Sequence, residues 1–549
     1  MSAAMNGGDA LVATLLAHGI ETAFCVPGES YLAVLEALRR ERDRIRLITT
    51  RHEGGASFAA EGYGKLTRTP GVVFVTRGPG ATNAAIGVHT AAQDSTPLVL
   101  FIGQVPTAHK GLEAFQEIDY EAMFGTIAKA VYEPSAPAEV AAATAKALAL
   151  AMSGRPGPVV VSLPEDVTEG DAGDAAVPGP TPRPATAADA QAVARAAGLI
   201  ATAKHPVVVA GELVAFEGAH ESLARFATAS GAAVATAFRR QDSFDNDDPA
   251  YIGHFGLGRG PYQREAWAEC DLVVLAGSRL DAITSEDYTL IRDDQTLIHI
   301  YVDETVIGRT AKADVALVGD VGPALDALAD ALPPPANERA RWRDGVNQAY
   351  RRFRGGGPAA LGDVDMAAVV AAVAARLEGH DHVITNDGGN FGSWVHRHFP
   401  YTRPYSQLGP TAGAMGAGVP YGVAAKLARP EAAAIIFVGD GGFLMTGQEL
   451  ATAVMESLAI KIVVCDNGAY GTILMHQHRL AGSGNYHGVA LENPDFAALA
   501  RAYGVPAWTV TETAGFAPAF DEALAHDGPA LIHVKTDIRD ISAFGPLEP

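Results

Sequence analysis

The sequence predicts an α/β protein made of three doubly wound parallel-sheet domains. Two observations carry the fold class. Short β-rich runs alternate with helical, often Ala-rich stretches throughout the 549 residues. The runs are continuously apolar, as strands buried on both faces are. A third observation sets the domain number: Pro-, Gly- and Ala-rich breaks divide the chain into three blocks of domain size.

The first block, 1–170, holds strand-like runs at 71–76, 97–103 and 157–163. A linker is expected at 171–190. The second block, 191–332, holds runs at 205–211, 271–277 and 297–303. A second linker, 333–362, surrounds a short basic helical piece, "ARWRDGVNQAYRRF". The third block, 363–549, holds runs at 382–387, 433–440, 460–467 and 529–537. In such sheets ligands bind beyond the carboxyl ends of the strands, so the residues just after each run are the candidates.

Composition narrows the function. Hydrophobic residues are 48% and charged residues 19%, a globular balance. The net charge of -22 is spread along the chain, which argues against nucleic acid or an anionic membrane as partner. Local basic sites for a small anion are compatible with it. Cys25, Cys270 and Cys465 lie far apart with no CxxC pair, so free buried thiols are expected rather than a zinc site or disulfides. The N-terminal stretch has neither a basic n-region nor an apolar h-region, and no apolar run reaches membrane-spanning length. A soluble cytoplasmic protein is the expectation.

The chemistry concentrates in two strand ends of the third block. "FVGDGGF" carries Gly439, Asp440, Gly441 and Gly442; "VVCDNGAYG" carries Asp466, Asn467, Ala469 and Tyr470. Their separation fits strand, helix, strand, which brings both to one sheet edge. A carboxylate, an amide oxygen and a backbone carbonyl form a hard oxygen site, suited to Mg²⁺ or Ca²⁺ holding a diphosphate. The glycines admit phosphate oxygens close to the backbone, and the following helix turns its N-terminus toward them. Alone, GDG is more often an ordinary strand-to-helix turn. The pair resembles the fingerprint of thiamine diphosphate (ThDP)-dependent enzymes of the acetolactate synthase, pyruvate oxidase and pyruvate decarboxylase group.

That resemblance covers nearly the whole chain and implies a pyrimidine, a central and a diphosphate domain in that order. It implies a metal, Mg²⁺, on Asp440, Asn467 and the Ala469 carbonyl, with Tyr470 beside them. The family often has Asn-Asn where this chain has Asp466-Asn467. In "QLGPTAGAMGAG" the backbone of Gly413 and Met415 would hold the aminopyrimidine, with Met415 as the apolar wedge; plain core packing is the alternative for Met415.

In "ITTRHEGGASFAAEGYG", Thr50-x-x-Glu53 matches a capping box, a purely structural role for Glu53. The resemblance instead implies that Glu53 binds N1' of the aminopyrimidine and so activates thiazolium C2. Burial at a subunit interface would raise its pKa. In this family that glutamate and the metal site come from different subunits. A homodimer is therefore the minimal active unit, and a homotetramer is expected.

"AFQEIDYEAMFG" is similar to acetolactate synthases, placing Phe115 and Gln116 near the substrate; a solvent-exposed Gln116 is the alternative. The adjacent histidines of pyruvate decarboxylases are absent here, and Thr472, Ile473 and Leu474 stand where those enzymes place a glutamate. His476 occupies the position of the synthases' tryptophan. His476 and His478 either line the substrate cavity or face solvent. "GHFGLGRG" (253–260), "GSRLD" and "VDETVIG" occupy places where relatives contact FAD, ADP or nothing. No clear strand feeds the first of these, so FAD stays open. "VPGES" places Glu29 at a strand end. The acid is similar to one in pyruvate decarboxylases, where synthases have a small residue. Helix capping is its alternative role.

The expected activity is a ThDP- and Mg²⁺-dependent decarboxylating carboligase on pyruvate or a related 2-keto acid. Alternatives are other lyases or transferases (benzaldehyde lyase-like, oxalyl-CoA decarboxylase-like, sulfoacetaldehyde acetyltransferase-like) and a flavin-dependent pyruvate oxidase-like enzyme. Small keto acids or aldehydes are the expected partners.

Overall fold

The computed structural model describes residues 5–181 and 185–547. It contains three six-stranded sheets, every strand pair parallel. The first comprises β1 (Thr22–Cys25), β2 (Arg46–Thr49), β3 (Gly71–Val75), β4 (Leu98–Gln104), β5 (Val131–Tyr132) and β6 (Pro158–Pro164), in the order β2-β1-β3-β4-β6-β5. The second comprises β7 (Pro206–Ala210), β8 (Ala233–Thr236), β9 (Tyr251–His254), β10 (Leu272–Ala276), β11 (Thr296–Tyr301) and β12 (Val315–Val318), in the order β12-β11-β10-β7-β8-β9. The third comprises β13 (His382–Asn386), β14 (Gln407–Leu408), β15 (Ala433–Gly439), β16 (Ile460–Asp466), β17 (Ala507–Val510) and β18 (Ala530–Lys535), in the order β14-β13-β15-β16-β18-β17.

The first and third sheets therefore share one topology. The order in which strands are added along the sheet reverses between β1 and β3, and again between β13 and β15, and a ligand crevice opens at such a point. β3, β4, β6, β7 and β10 are buried at every residue. Helices on both faces cover them, which is why these runs read as unbroken Val, Ile and Leu.

The linker at 171–190 lies partly, at 182–184, outside the described residues, as do the chain's first four and last two positions. The linker at 333–362 is largely a helix, Asn337–Gly355. Its Val346 and Tyr350 join the core around the second sheet, and Asn347 donates to the Tyr251 carbonyl at 2.7 Å. That segment is part of the central layer, because its apolar face is needed to cover β9.

The first and third sheets share a core. The helix Glu53–Thr67 packs on Gly418–Ala428, with Phe58 edge-on to Tyr421 at 6.3 Å between ring centroids. Gly62 permits this approach, since a Cβ there would meet the Tyr421 ring at 2.7 Å. A buried ionic cluster adds the second sheet's domain: Lys65 bridges Glu61 and Asp94, Asp94 also accepts from Thr411, and Arg240 approaches it at 3.9 Å. All three cysteines are buried and free, and burial pushes the Cys25 thiol up to about 11. Among the described residues no helix is long and apolar enough to cross a membrane.

Lowering the pH from 7 to 6 is expected to destabilise this fold. Burial lowers His220, His254 and His299 to about 4 and His396 well below its ordinary value. The unfolded chain protonates these groups first, near pH 6.5, so stability present above that pH drains as pH falls through the window to about 4. Asp242, Asp387 and Asp440, which burial raises to about 6, take up protons in the folded state over the same window and offset part of this. The loss between pH 7 and 6 is on the order of 2 kcal/mol. It is read as a lower urea midpoint; an unchanged or higher midpoint contradicts it.

Candidate active site

At the crevice of the third sheet, β15 ends at Gly439 opposite Cys465 of β16. The register brings Asp440 and Asp466–Asn467 out side by side, and Asp440 opens the helix Asp440–Thr446. A cavity of about 210 Å³ lies there, lined by Gly413, Met415, Gly439, Asp440, Gly441, Gly442, Asn467, Ala469 and Tyr470 among others. All nine residues expected to hold cofactor or metal in the third block thus meet in one place. Among the described residues, none before Met366 lines that cavity.

Asp440 is nearly buried, and its carboxylate is ringed by donors. Oδ1 accepts from the Gly441 amide at 2.9 Å; Oδ2 accepts from the Gly468 amide at 3.0 Å and from Asn493 Nδ2 at 2.7 Å. Burial raises its pKa to about 6, a shift that a bound dication would reverse. Among the described residues no group of three His, Cys, Asp or Glu side chains could hold a metal. The donor set is one carboxylate with amide and carbonyl oxygens, which fits Mg²⁺ completed by phosphate oxygens and water. The glycines are cradle-like: a Cβ at Gly441 would meet the Tyr470 ring at 2.6 Å, and one at Gly442 would meet Asp387 at 2.4 Å.

Asp466, the departure from the family's Asn-Asn, has its own partners. Burial works against its ionisation, yet His533 Nε2 at 2.7 Å and Lys535 Nζ at 2.6 Å hold its carboxyl well below the usual carboxylate range. Lys535 lies opposite Asp466 in the β16–β18 register, and His533 lies opposite Val464. The extra negative charge is thus matched within the sheet. Asn493 bridges the two acids, donating to Asp466 Oδ1 at 2.8 Å as well as to Asp440.

Asp387, just past β13, fixes the turn that carries Met415. Its carboxylate accepts from the amides of Gly388, Gly416 and Ala417 at 2.7, 2.8 and 3.3 Å. Gly413 and Gly416 have φ of 69° and 90°, which glycine alone adopts freely. Sequence reasoning missed Asp387, Asn493, His533 and Lys535. A strand-end acid beside two glycines was the only signal, for Asp387; the other three are united only by register and loop folding.

Glu53, Glu29 and Gln116 lie elsewhere, on the first sheet's domain. The capping box at Thr50 does not form. His52 is the N-cap, its Nδ1 accepting from the Gly54 amide at 3.0 Å, while the Thr50 hydroxyl donates to the Cys25 carbonyl. Glu53 is the first helical residue, half-buried, and accepts from Asn83 Nδ2 at 2.9 Å. Its helix start is clamped to the third domain by buried Glu449, which accepts from the Arg51 and His52 amides.

Glu29 stands at the β1/β3 crevice, its side chain 68% exposed, and pairs with Arg77 at 3.2 Å. Buried Arg77 also pairs with Glu165. Glu29 also opens the short helical turn Glu29–Tyr31, so it keeps the first-turn position that suits an acid while pairing with Arg77. Gln116 adopts φ 66°, and its carbonyl accepts from the Gly78 amide at 3.0 Å, while neighbouring Phe115 is exposed.

His476 lines a second, larger cavity of about 670 Å³ between the second and third sheets, and His478 bonds Tyr486 at 2.8 Å instead. "GHFGLGRG" begins within a strand, β9, which is short and lies at a sheet edge. At the second sheet's own crevice, between β7 and β10, the glycines serve internal packing. A Cβ at Gly211 would meet Ser278 at 2.3 Å, and one at Gly277 would meet Leu213 at 2.8 Å. They lend FAD no support.

Family models match the chain in three places. One described as thiamine pyrophosphate enzyme, N-terminal TPP binding domain, matches residues 5–123; the central domain matches 193–328; the C-terminal TPP binding domain matches 387–534. A probable acetolactate synthase large subunit of Methanocaldococcus jannaschii is 32% identical over 551 residues, covering 97% of this chain and 92% of the relative. The acetolactate synthase isozyme 2 large subunit of Escherichia coli is 31% identical over 552 residues, covering 99% and 98%.

Proposed function

Because this chain belongs to the thiamine pyrophosphate enzyme family, we propose that it is a ThDP- and Mg²⁺-dependent, acetolactate synthase-like carboligase. Its donor is pyruvate or a related 2-keto acid. The observation that carries this reading is the convergence of Asp440, Asn467, three glycines, Gly413 and Met415 on one cavity at the third sheet's crevice. Bound ThDP supplies a carbon nucleophile and an electron sink for loss of CO₂.

The chain's residues do the rest. Asp440, Asn467 and the Ala469 carbonyl hold the metal, and the backbone around Gly439–Gly442 and Tyr470 receives the diphosphate. Gly413 and Met415 hold the aminopyrimidine, with Met415 as the wedge. Glu53 holds the proton at N1'. Since no described residue of the first sheet's domain lines the cavity, Glu53 reaches it from a second copy, which supports a homodimer as the minimal unit. Glu29, aimed by Arg77, and Gln116 arrive on the same partner face, toward the substrate. His476 lines the adjoining larger cavity, which shares Gly413 and Thr472 with the cofactor cavity, and a proton donor or acceptor is useful there.

Removing Asn493 is expected to weaken the metal without touching it. Asn493→Ala removes the side-chain donor that bridges Asp440 and Asp466 and leaves the Gly468 amide between them, at 3.0 and 3.1 Å. Mg²⁺ affinity, read by titration of ThDP-dependent fluorescence quenching, should fall about 10–100-fold. An unchanged affinity would show that Asn493 only supports the loop.

The function is tested by incubating the protein with ThDP, Mg²⁺ and ¹³C-labelled pyruvate. NMR should show CO₂ release and a product with a new carbon–carbon bond. Turnover of aldehydes or CoA thioesters with none of pyruvate would replace the donor class and leave the cofactor assignment standing.

A further inference from the structure

The 670 Å³ cavity between the second and third sheets has an unusual charge. The chain as a whole carries 63 Asp and Glu against 41 Lys and Arg. Yet among the described residues five arginines line this cavity, Arg239, Arg259, Arg264, Arg397 and Arg479, and no Asp or Glu does. Arg239 and Arg397 are tied to backbone carbonyls. Arg259 pairs with Glu286. Arg264 and Arg479 are exposed, and no hydrogen bond or ion pair is recorded for either among the described residues. An unmatched pair of guanidiniums facing one cavity of an acidic protein is a site for an oxyanion.

The cavity also communicates with the cofactor site. Gly388, Gly389, Asn390, Gly413 and Thr472 line both cavities. One face of the helix Gly471–Ala481, formed by Thr472, Met475, His476 and Arg479, runs from that shared wall outward. Arg479 lies two turns beyond Thr472, about 10 Å along the axis. An arginine side chain spans part of that distance, so a ligand of several bonds covers the remainder.

We propose that one substrate carries a second anionic group, a carboxylate or phosphate, remote from its reacting carbonyl and held by Arg264 and Arg479. The carbonyl then sits at the shared wall beside the cofactor cavity, and the oxyanion end sits between the two arginines. The catalytic part of this rests on the reading under Proposed function; the anion-binding part does not. His476, on the same helical face, lies between the two ends.

The test uses matched pairs on the holoenzyme. 2-Oxoadipate is compared with 2-oxohexanoate, and glyceraldehyde 3-phosphate with glyceraldehyde, each alone and with pyruvate. Expected is a kcat/KM at least about 10-fold higher for the member of one pair that carries the remote anionic group, and the pair that shows it identifies carboxylate or phosphate. Arg264→Gln and Arg479→Gln should each remove most of that preference and leave the member without the remote anionic group within about twofold. Both side chains are exposed, so the variants keep the fold.

Adipate and inorganic phosphate, which cannot react, are titrated calorimetrically into wild type and both variants. Arginine-dependent binding that weakens with salt supports the site even if no substrate turns over, an outcome that would sink only the catalytic reading. Turnover without charge preference, or no arginine-dependent binding of either probe, overturns the inference. So does a flavin absorption band in the purified protein that is lost in the two variants, because a flavin would then be the cavity's anion.

Discussion

Glu53→Gln is expected to lower turnover by about 10²–10⁴-fold while ThDP still binds. The substitution keeps the side-chain volume, and the new amide oxygen can still accept from Asn83 Nδ2. The helix start does not depend on Glu53. His52 caps it, and Glu449 clamps the Arg51 and His52 amides to the third domain. What is removed is the one group able to hold and release a proton at that position. Loss of turnover with unchanged melting behaviour and unchanged cofactor affinity is therefore the signature. Equal loss of stability and activity would mark Glu53 as structural.

Asp440→Ala should have the larger effect on binding. ThDP affinity in the presence of Mg²⁺ is expected to fall by more than about 100-fold, beyond the range seen for groups that merely support a ligand. In the metal-free protein Asp440 is a buried carboxylate raised to about 6, held by the Gly441 and Gly468 amides and Asn493. The substitution removes an acceptor from those three donors, so a modest loss of stability accompanies it. Asp440→Asn separates the two effects. It retains an acceptor for the donors and loses the charge, so its fold should resemble wild type while its metal affinity resembles Asp440→Ala. Equilibrium dialysis with Mg²⁺ and ThDP checks both variants. Wild-type affinity in Asp440→Asn would move the metal elsewhere.

The central strands were legible because burial on both faces leaves an uninterrupted apolar signature. β3, β4, β6, β10, β15 and β16 all stand within a residue or two of where that signature places them. Edge and outer strands were not. β5 and β14 have two residues each, too few for any pattern. The Asp440–Asn467 pair was legible because both ligands sit at fixed offsets from strand ends. Its support was not: Asn493 comes from a loop, and His533 and Lys535 meet Asp466 only through the β16–β18 register. The Thr50–Glu53 pattern offered a structural alternative because the same residues satisfy a capping box on paper. In the fold the Thr50 hydroxyl turns to Cys25, and His52 takes the cap. The basic segment at 337–355 read as part of a linker because arginines dominate it, although Val346 and Tyr350 form the face that packs.

The central claim is that this chain activates ThDP through Glu53, and proton exchange at C2 of the bound thiazolium tests it without any assumption about substrate. Quenched-flow exchange into D₂O, followed by NMR of the released cofactor, should show exchange accelerated by the wild-type protein far above that of free ThDP. In Glu53→Gln with ThDP bound, the acceleration should vanish. Exchange in the wild type no faster than in free solution, or equal acceleration in Glu53→Gln, would contradict the account.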